Sequence, residues 1–267
     1  MLYYFFWLEA AIFTGALYLF SPALHPGWIL PILLGAFVVL CLLFLLYLYL
    51  TPVFFPKGTP KHPSRYAAST IRIALSWFMR IFFVKIRVEG AEKLPNTPVV
   101  LVCNHRSALD PVFIICGFKK RRMAFVAKQS VMKYPVVGPH ARRAGFLGID
   151  RESPMQSLRT IKRAAEFVKN DGIDYGIFPE GTRSRDGKLL PFKTGAFMLA
   201  KRANAPLAVL TMQGSERVIK GLPFRRPKIF LRVETVIAKE EVARLSAEEL
   251  SDMTRGAMAR DLPDFTP

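Results

Sequence analysis

Residues 99–111 read VVLVCNHRSALDP, and this stretch predicts a buried strand, a polar turn and the start of a helix. Residues 99–103 are all apolar, which is typical of a strand that is covered on both faces of a parallel sheet. Pro111 suits the first turn of a helix, where its missing N–H leaves no hydrogen bond unmade. A strand that passes into a helix in this way is the repeating unit of an α/β sandwich.

A second stretch has the same form, because residues 175–184 read YGIFPEGTRS. Pro179 is expected to end the strand, and Gly181 allows backbone N–H groups to approach an anion. Arg183 offers a planar, permanently charged fork that matches phosphate oxygens. The stretch therefore predicts an anion-binding turn at a strand end.

The rest of the chain alternates between strand and helix patterns. Further strands are expected at residues 84–89, 207–212 and 228–237, and helices at residues 64–82, 110–118, 154–171 and 194–203. Ser246 and Glu249 have capping-box spacing before a last helix. We predict an α/β fold with a mostly parallel sheet flanked by helices. Helix 64–82 mixes arginines with large aromatic residues, which suits either a membrane interface or an ordinary domain helix.

His105 and Asp110 are the candidate catalytic pair. On a regular helix, five positions rotate by about 500°, so the two side chains would point about 140° apart. A turn between the strand and Pro111 lets them meet, and Asp110 then orients an imidazole that acts as a general base. The alternatives are that Asp110 caps the helix at 111–118 and that His105 is a satisfied turn histidine.

Together, and in this order, the strings NHRSALD and FPEGTRS resemble the glycerolipid acyltransferase family over roughly residues 75–240. The resemblance implies a glycerol-3-phosphate acyltransferase-like fold, with His105 and Asp110 as its His-x4-Asp motif. It also implies that Glu180, Gly181, Thr182 and Arg183 lie in the acceptor site, with Arg183 on the phosphate. Glu180 would lie near the glycerol hydroxyls or order the loop, and it could also pair with Arg183.

Two weaker features add to this expected acceptor site. Residues 145–151 read GFLGIDR and resemble the family segment that ends in Ile-Asp-Arg, which makes Arg151 a second expected phosphate ligand. Lys193 could add positive charge there, or it could be a solvated surface lysine.

The N-terminal part has a different composition. Residues 28–50 are long and apolar enough to span a bilayer, residues 2–20 form a second apolar stretch, and residues 21–27 form a turn-rich connector. We predict a membrane-embedded helical hairpin over residues 1–56 and a catalytic domain over residues 57–267. A cleaved signal peptide is the alternative for the first stretch.

Charge is confined to the second part, because all 38 Lys and Arg residues follow Pro56. The positive-inside tendency places the domain at the cytoplasmic face of the cell (inner) membrane. A basic domain behind an apolar segment favours anionic lipid or ligands over nucleic acid as its partner. Three scattered cysteines argue against a disulfide scaffold, and Cys103 is expected to be a buried strand residue rather than a nucleophile. One histidine with two carboxylates matches no usual metal site, and no cofactor is expected.

The expected function is transfer of a fatty acyl group from acyl-CoA or acyl carrier protein to the sn-2 hydroxyl of 1-acyl-glycerol-3-phosphate, giving phosphatidic acid. The same chemistry on another lysophospholipid or on a lyso-ornithine lipid is one alternative. An inactive, membrane-tethered protein that binds anionic lipid is the alternative from another class.

Overall fold

The computed structural model describes residues 2–21, 25–56, 58–218 and 226–261. The chain divides into two compact units, Met1–Pro56 and Lys57–Pro267. Residues 22–24 of the predicted connector lie outside the described residues, as does Lys57. Each unit is described separately below.

The first unit consists of two apolar helices, α1 (Leu2–Phe20) and α2 (Ile29–Leu50). They pack through aromatic pairs, since the Trp7 ring stacks on Phe37 at 4.1 Å and Phe6 meets Phe44 edge-on at 6.0 Å. Pro26–Phe54 is a helical stretch of 29 residues with a mean hydropathy of 3.1, long and apolar enough to cross a membrane. The membrane assignment of this unit stays a prediction.

The second unit contains seven strands and seven α-helices among its described residues. The strands are β1 (Lys85–Glu89), β2 (Val100–Cys103), β3 (Met123–Lys128), β4 (Leu147–Ile149), β5 (Asp174–Ile177), β6 (Leu207–Gln213) and β7 (Lys228–Ile237). The helices are α3 (Arg65–Ile81), α4 (Asp110–Gly117), α5 (Val137–Arg143), α6 (Pro154–Asp171), α7 (Gly195–Ala203), α8 (Lys239–Arg244) and α9 (Ala247–Asp261).

The strands form one sheet in the order β1-β7-β6-β2-β5-β3-β4. All neighbouring pairs are parallel except β6 and β7, which are antiparallel. The mostly parallel sheet predicted from the sequence is therefore present. Strand β2 lies at its centre, between β6 and β5.

Alternate side chains of β2 enter two separate hydrophobic cores. Val100 and Val102 pack into the core that α6, α7 and α9 cover, while Leu101 and Cys103 face the core beneath α3 and α4. Full burial of a Val or Leu side chain stabilises a fold by roughly 1.5–3 kcal/mol. Burial on both faces fixes the position of β2 along its neighbouring strands. The position of the turn that follows β2 is thereby fixed as well.

Two strands were not predicted. Strand β3 follows the basic run at residues 119–122, and β4 contains only three residues, so neither has a clear period in the sequence. The expected capping box is present, because the Ser246 hydroxyl accepts from the Glu249 N–H at 3.0 Å and the Glu249 carboxylate accepts from the Ser246 N–H at 2.7 Å.

Candidate active site

The candidate site lies where the carboxyl ends of β2 and β5 meet. Since these neighbouring strands are parallel, the residues after each strand lie at the same edge of the sheet. The register pairs Val102 with Ile177, and three further residues bring His105 level with Glu180. We call residues 104–110 the histidine turn and residues 179–193 the EGTR loop.

The histidine turn brings His105 and Asp110 into contact. The Nδ1 atom of His105 lies 2.8 Å from Oδ2 of Asp110. The same oxygen accepts the backbone N–H groups of Arg106 at 2.7 Å and Ser107 at 2.8 Å. All three donors precede the helix, so the carboxylate closes the turn instead of capping the first turn of α4.

Burial differs between the two members of the pair. The side chain of Asp110 is fully buried, whereas that of His105 is 15% exposed. Because Nδ1 donates to the carboxylate, the neutral imidazole carries its proton there and leaves Nε2 as the acceptor. The pair can therefore accept a proton at Nε2.

The backbone of His105 is held by the EGTR loop on both sides. Its N–H donates to Oε1 of Glu180 at 2.8 Å, and its carbonyl accepts from the Ser184 N–H at 2.8 Å. The two motifs that stand far apart in the sequence are thus joined directly through one residue.

Each carboxylate oxygen of Glu180 accepts a hydrogen bond from a backbone N–H group. Its Oε2 accepts from the Leu190 N–H at 3.2 Å, so the side chain ties the far end of the EGTR loop to the histidine turn. Burial raises the pKa of Glu180, and its hydrogen bonds from His105 and Leu190 oppose that shift. Within residues 58–218, which are described without a gap, Glu180 forms no ion pair with Arg183.

Phe178 supports the imidazole ring and was not anticipated as a site residue. The ring of Phe178 stacks on that of His105 with centroids 4.1 Å apart, and it stacks in turn on Phe125 at 5.9 Å. The imidazole is therefore fixed by one face as well as by its bond to Asp110. The position of Phe178 directly before PEGTRS is the only sequence signal for this contact.

Asn104 was also missed, and it holds the start of the histidine turn. Its side chain accepts from the Met212 N–H at 2.7 Å and donates to the Met212 carbonyl at 3.0 Å. The amide group thereby satisfies the backbone of β6 at the point where β2 leaves the sheet. Its place immediately before His105 was the available signal.

The remaining EGTR residues lie at the surface. Gly181 has a positive φ of 68°, and a side chain there would meet Lys193, whose Cε lies 3.0 Å from the position that a Cβ would take. Thr182, Arg183 and Lys193 are exposed. The structure therefore places Lys193 over Gly181 and leaves the cationic groups open to solvent.

Arg151 lies at the same edge of the sheet but farther away. It follows β4, which is separated from β2 by β5 and β3, so the strand axes are about 14 Å apart. The preceding residues are fastened to α6, because the Gln156 and Thr160 side chains donate to the Gly148 carbonyl at 3.1 and 3.0 Å. Arg151 itself is exposed, and within residues 58–218 no hydrogen bond or ion pair joins it to the EGTR loop.

Cys103 adjoins the site without the properties of a nucleophile. Its side chain is buried, and that burial raises the pKa of the thiol well above its usual value. A thiol of raised pKa carries little of the reactive thiolate.

Comparisons with known proteins show what this chain resembles in sequence and in fold. A family model described as acyltransferase matches residues 85–213. A 1-acyl-sn-glycerol-3-phosphate acyltransferase of Brassica napus is 35% identical over 139 residues, which are 51% of this chain and 40% of that protein. This chain therefore spans less than half the length of that plant relative.

Two further matches extend over most of the chain. The 1-acyl-sn-glycerol-3-phosphate acyltransferase alpha of Mus musculus is 27% identical over 92% of this chain and 81% of its own length. The crystal structure of the 1-acyl-sn-glycerophosphate acyltransferase of Thermotoga maritima matches with a TM-score of 0.58 and 23% identity, covering 96% of this chain and 93% of that one. The predicted fold class and the resemblance of the two motifs are thus confirmed.

Proposed function

We propose that this chain, whose residues 85–213 match the acyltransferase family model, is a member of that family and transfers a fatty acyl group from a thioester to the free hydroxyl of a lysophospholipid. The favoured acceptor is 1-acyl-glycerol-3-phosphate, and the product is phosphatidic acid. The observation that carries the proposal is the His105–Asp110 pair, whose Nε2 is the basic atom left for a substrate hydroxyl.

Nε2 of His105 can both accept and return the proton that moves in this reaction. Nε2 of His105 takes the proton of the acceptor hydroxyl. At the same time, the hydroxyl oxygen of the acceptor forms a bond to the thioester carbonyl carbon. The imidazolium that results is stabilised by the buried carboxylate of Asp110. The carbon–sulfur bond then breaks, and the proton passes from His105 to the leaving thiolate. The acceptor hydroxyl is itself the nucleophile, so no covalent acyl-enzyme is needed.

The acceptor phosphate is proposed to bind at the exposed part of the EGTR loop. Arg183 supplies the forked cation, the backbone at Gly181 and Thr182 approaches the anion, and Lys193 adds positive charge. Glu180 uses both oxygens on backbone N–H groups, which favours a role in ordering the loop over one in binding glycerol hydroxyls. Arg151 would extend the site along the sheet edge as a second phosphate contact.

The donor and the location follow from charge and hydropathy. The 38 basic residues after Pro56 favour a phosphorylated donor carrier, either coenzyme A or acyl carrier protein. Side chains of α2 such as Leu42 and Leu45 are each 58% exposed, as expected of a surface that lipid covers. We infer that the N-terminal unit anchors the enzyme at the cytoplasmic face of the cell membrane, where a single-chain lipid enters from the bilayer.

The test is an acyl-transfer assay on the full chain in detergent–lipid micelles. Labelled acyl-CoA or acyl carrier protein is supplied with lysophosphatidic acid, other lysophospholipids and a lyso-ornithine lipid, for the wild type and for His105→Ala. We expect phosphatidic acid from lysophosphatidic acid, and a loss of at least about 10³-fold in kcat in the variant. His62→Ala, which removes an exposed histidine elsewhere, is the matched control.

Three results would contradict the proposal in whole or in part. Full activity in His105→Ala would remove this residue as the base. Product from only another lysolipid would keep the chemistry and change the acceptor. The absence of product with both donors and every acceptor would favour an inactive protein that binds anionic lipid.

A further inference from the structure

Arg255 on α9 contacts residues 189–192, the part of the EGTR loop that is remote from the sequence EGTR. Its Nη1 donates to the Leu190 carbonyl at 2.7 Å, and its Nη2 donates to the Leu189 carbonyl at 3.1 Å. The guanidinium group also lies over the Phe192 ring, 5.6 Å from the centroid. One side chain therefore fastens three of the four residues between 189 and 192.

The fastened residues lead directly to the candidate site. Leu190 is held from two sides, because its carbonyl accepts from Arg255 while its N–H donates to Glu180. The Lys193 N–H donates to the Pro179 carbonyl at 2.8 Å, and the Lys193 side chain lies over Gly181. Any loosening at residues 189–192 would therefore reach both Glu180 and Lys193.

Helix α9 is a firm base for this contact. Leu250 and Met258 are fully buried in the core that α6 and α7 share, and the capping box at Ser246 and Glu249 fixes the start of the helix. Arg255 thus extends from a well-packed helix, and the N–H groups of its guanidinium donate to the loop. The helix lies beyond residue 213, where the match to the acyltransferase family ends.

We propose that Arg255 is a positioning residue that keeps the EGTR loop in the conformation that binds the acceptor phosphate. This inference rests on the proposed function for its effect on catalysis. Arg255 contacts the loop backbone at Leu189 and Leu190, whereas the hydrogen bonds of the His105–Asp110 pair lie within the histidine turn. The expected consequence of its loss is weaker acceptor binding with little change in the proton-transfer step.

The experiment compares Arg255→Ala with Arg260→Ala in the full chain. Arg260 is exposed on the same helix, and among the described residues its one hydrogen bond is to the Gly256 carbonyl of that helix, so it matches the loss of charge. In Arg255→Ala we expect the KM for lysophosphatidic acid to rise by about fivefold to tenfold, with kcat within about twofold and the KM for the donor unchanged. Arg255→Lys keeps the charge but loses the fork, so its KM should lie between those of the wild type and Arg255→Ala.

Hydrogen exchange of the backbone supplies a readout that does not need turnover. The amides of Leu190 and Lys193, which are hydrogen-bonded to Glu180 and to Pro179, should exchange faster in Arg255→Ala and at the wild-type rate in Arg260→Ala. A change in melting temperature with unchanged KM and unchanged exchange in this loop would overturn the positioning role, as would an equal rise in KM in Arg260→Ala. If the wild type acylates none of the acceptors, the proposed function fails, and the exchange rates still decide whether Arg255 holds the loop.

Discussion

The histidine turn and the EGTR loop meet at His105, yet they are built in opposite ways. In the turn, the polar side chains of Asn104, Ser107 and Asp110 are buried and hydrogen-bonded to the backbone. In the loop, Arg183 and Lys193 are exposed. The group proposed to move a proton is thus fixed in advance, whereas the groups proposed to bind phosphate remain open to solvent. Substitutions in the turn should therefore lower kcat, and those in the loop should raise KM.

The largest effect is expected from breaking the turn at Asp110. Only Oδ2 of this carboxylate has hydrogen-bond partners among the described residues, and Oδ1 has none. An asparagine can therefore place its carbonyl oxygen at the Oδ2 position and keep all three bonds. It would then lose the negative charge but keep the orientation of the imidazole.

This geometry predicts different losses for two variants. Asp110→Asn should lower kcat by about 10²-fold, and Asp110→Ala, which removes orientation as well, by about 10³-fold or more. The measurement is steady-state kinetics with lysophosphatidic acid, with thermal unfolding to check that both variants fold. Equal losses in the two variants would show that the charge alone matters, and unchanged kcat in either would remove Asp110 from the mechanism.

A smaller effect, on KM rather than kcat, is expected at Arg183. Arg183→Ala removes an exposed cation without disturbing the buried contacts of Glu180 and Ser184. The KM for lysophosphatidic acid should rise by about tenfold, because a charge-assisted hydrogen bond to phosphate is lost. A monoacylglycerol that lacks phosphate should show no such rise.

Arg185→Ala is the matched control, since it removes another exposed arginine two residues farther along. Equal rises in KM for Arg183→Ala and Arg185→Ala would indicate general attraction by positive charge. An unchanged KM in Arg183→Ala would remove this residue from the phosphate site.

The same two regions show what sequence patterns can and cannot predict. The meeting of His105 and Asp110 is local, since a strand end, a five-residue spacing and Pro111 are enough to indicate it. The contacts of Phe178, Asn104 and Arg255 depend on which strands and helices become neighbours. That order is set by how the whole sheet packs, and no short string encodes it. Glu180 was chosen from its motif, but its two backbone partners at His105 and Leu190 become visible only in the fold.

The smallest expected effect is a pH dependence of stability that arises where the two regions join. Burial raises the pKa of Glu180 in the folded chain. Between the usual carboxyl pKa of about 4.3 and that raised value, the folded chain keeps a proton that the unfolded chain has released. Stability due to this group is therefore present below the window and is lost as pH rises through it.

Comparison with Glu180→Gln isolates the pH-dependent contribution of Glu180 to the free energy of unfolding, because glutamine does not titrate. The free energy of unfolding of the wild type minus that of the variant should fall as pH rises through the window, and then stay constant. Glu249 supplies a control of opposite sign, because hydrogen bonds from Ser246 lower its pKa and its contribution is lost as pH falls. Urea unfolding of the full chain and of Glu180→Gln and Glu249→Gln from about pH 3 to 8 measures both differences. If the difference for Glu180→Gln rises with pH instead, the two backbone N–H groups outweigh burial, and the carboxylate itself stabilises the junction between the histidine turn and the EGTR loop.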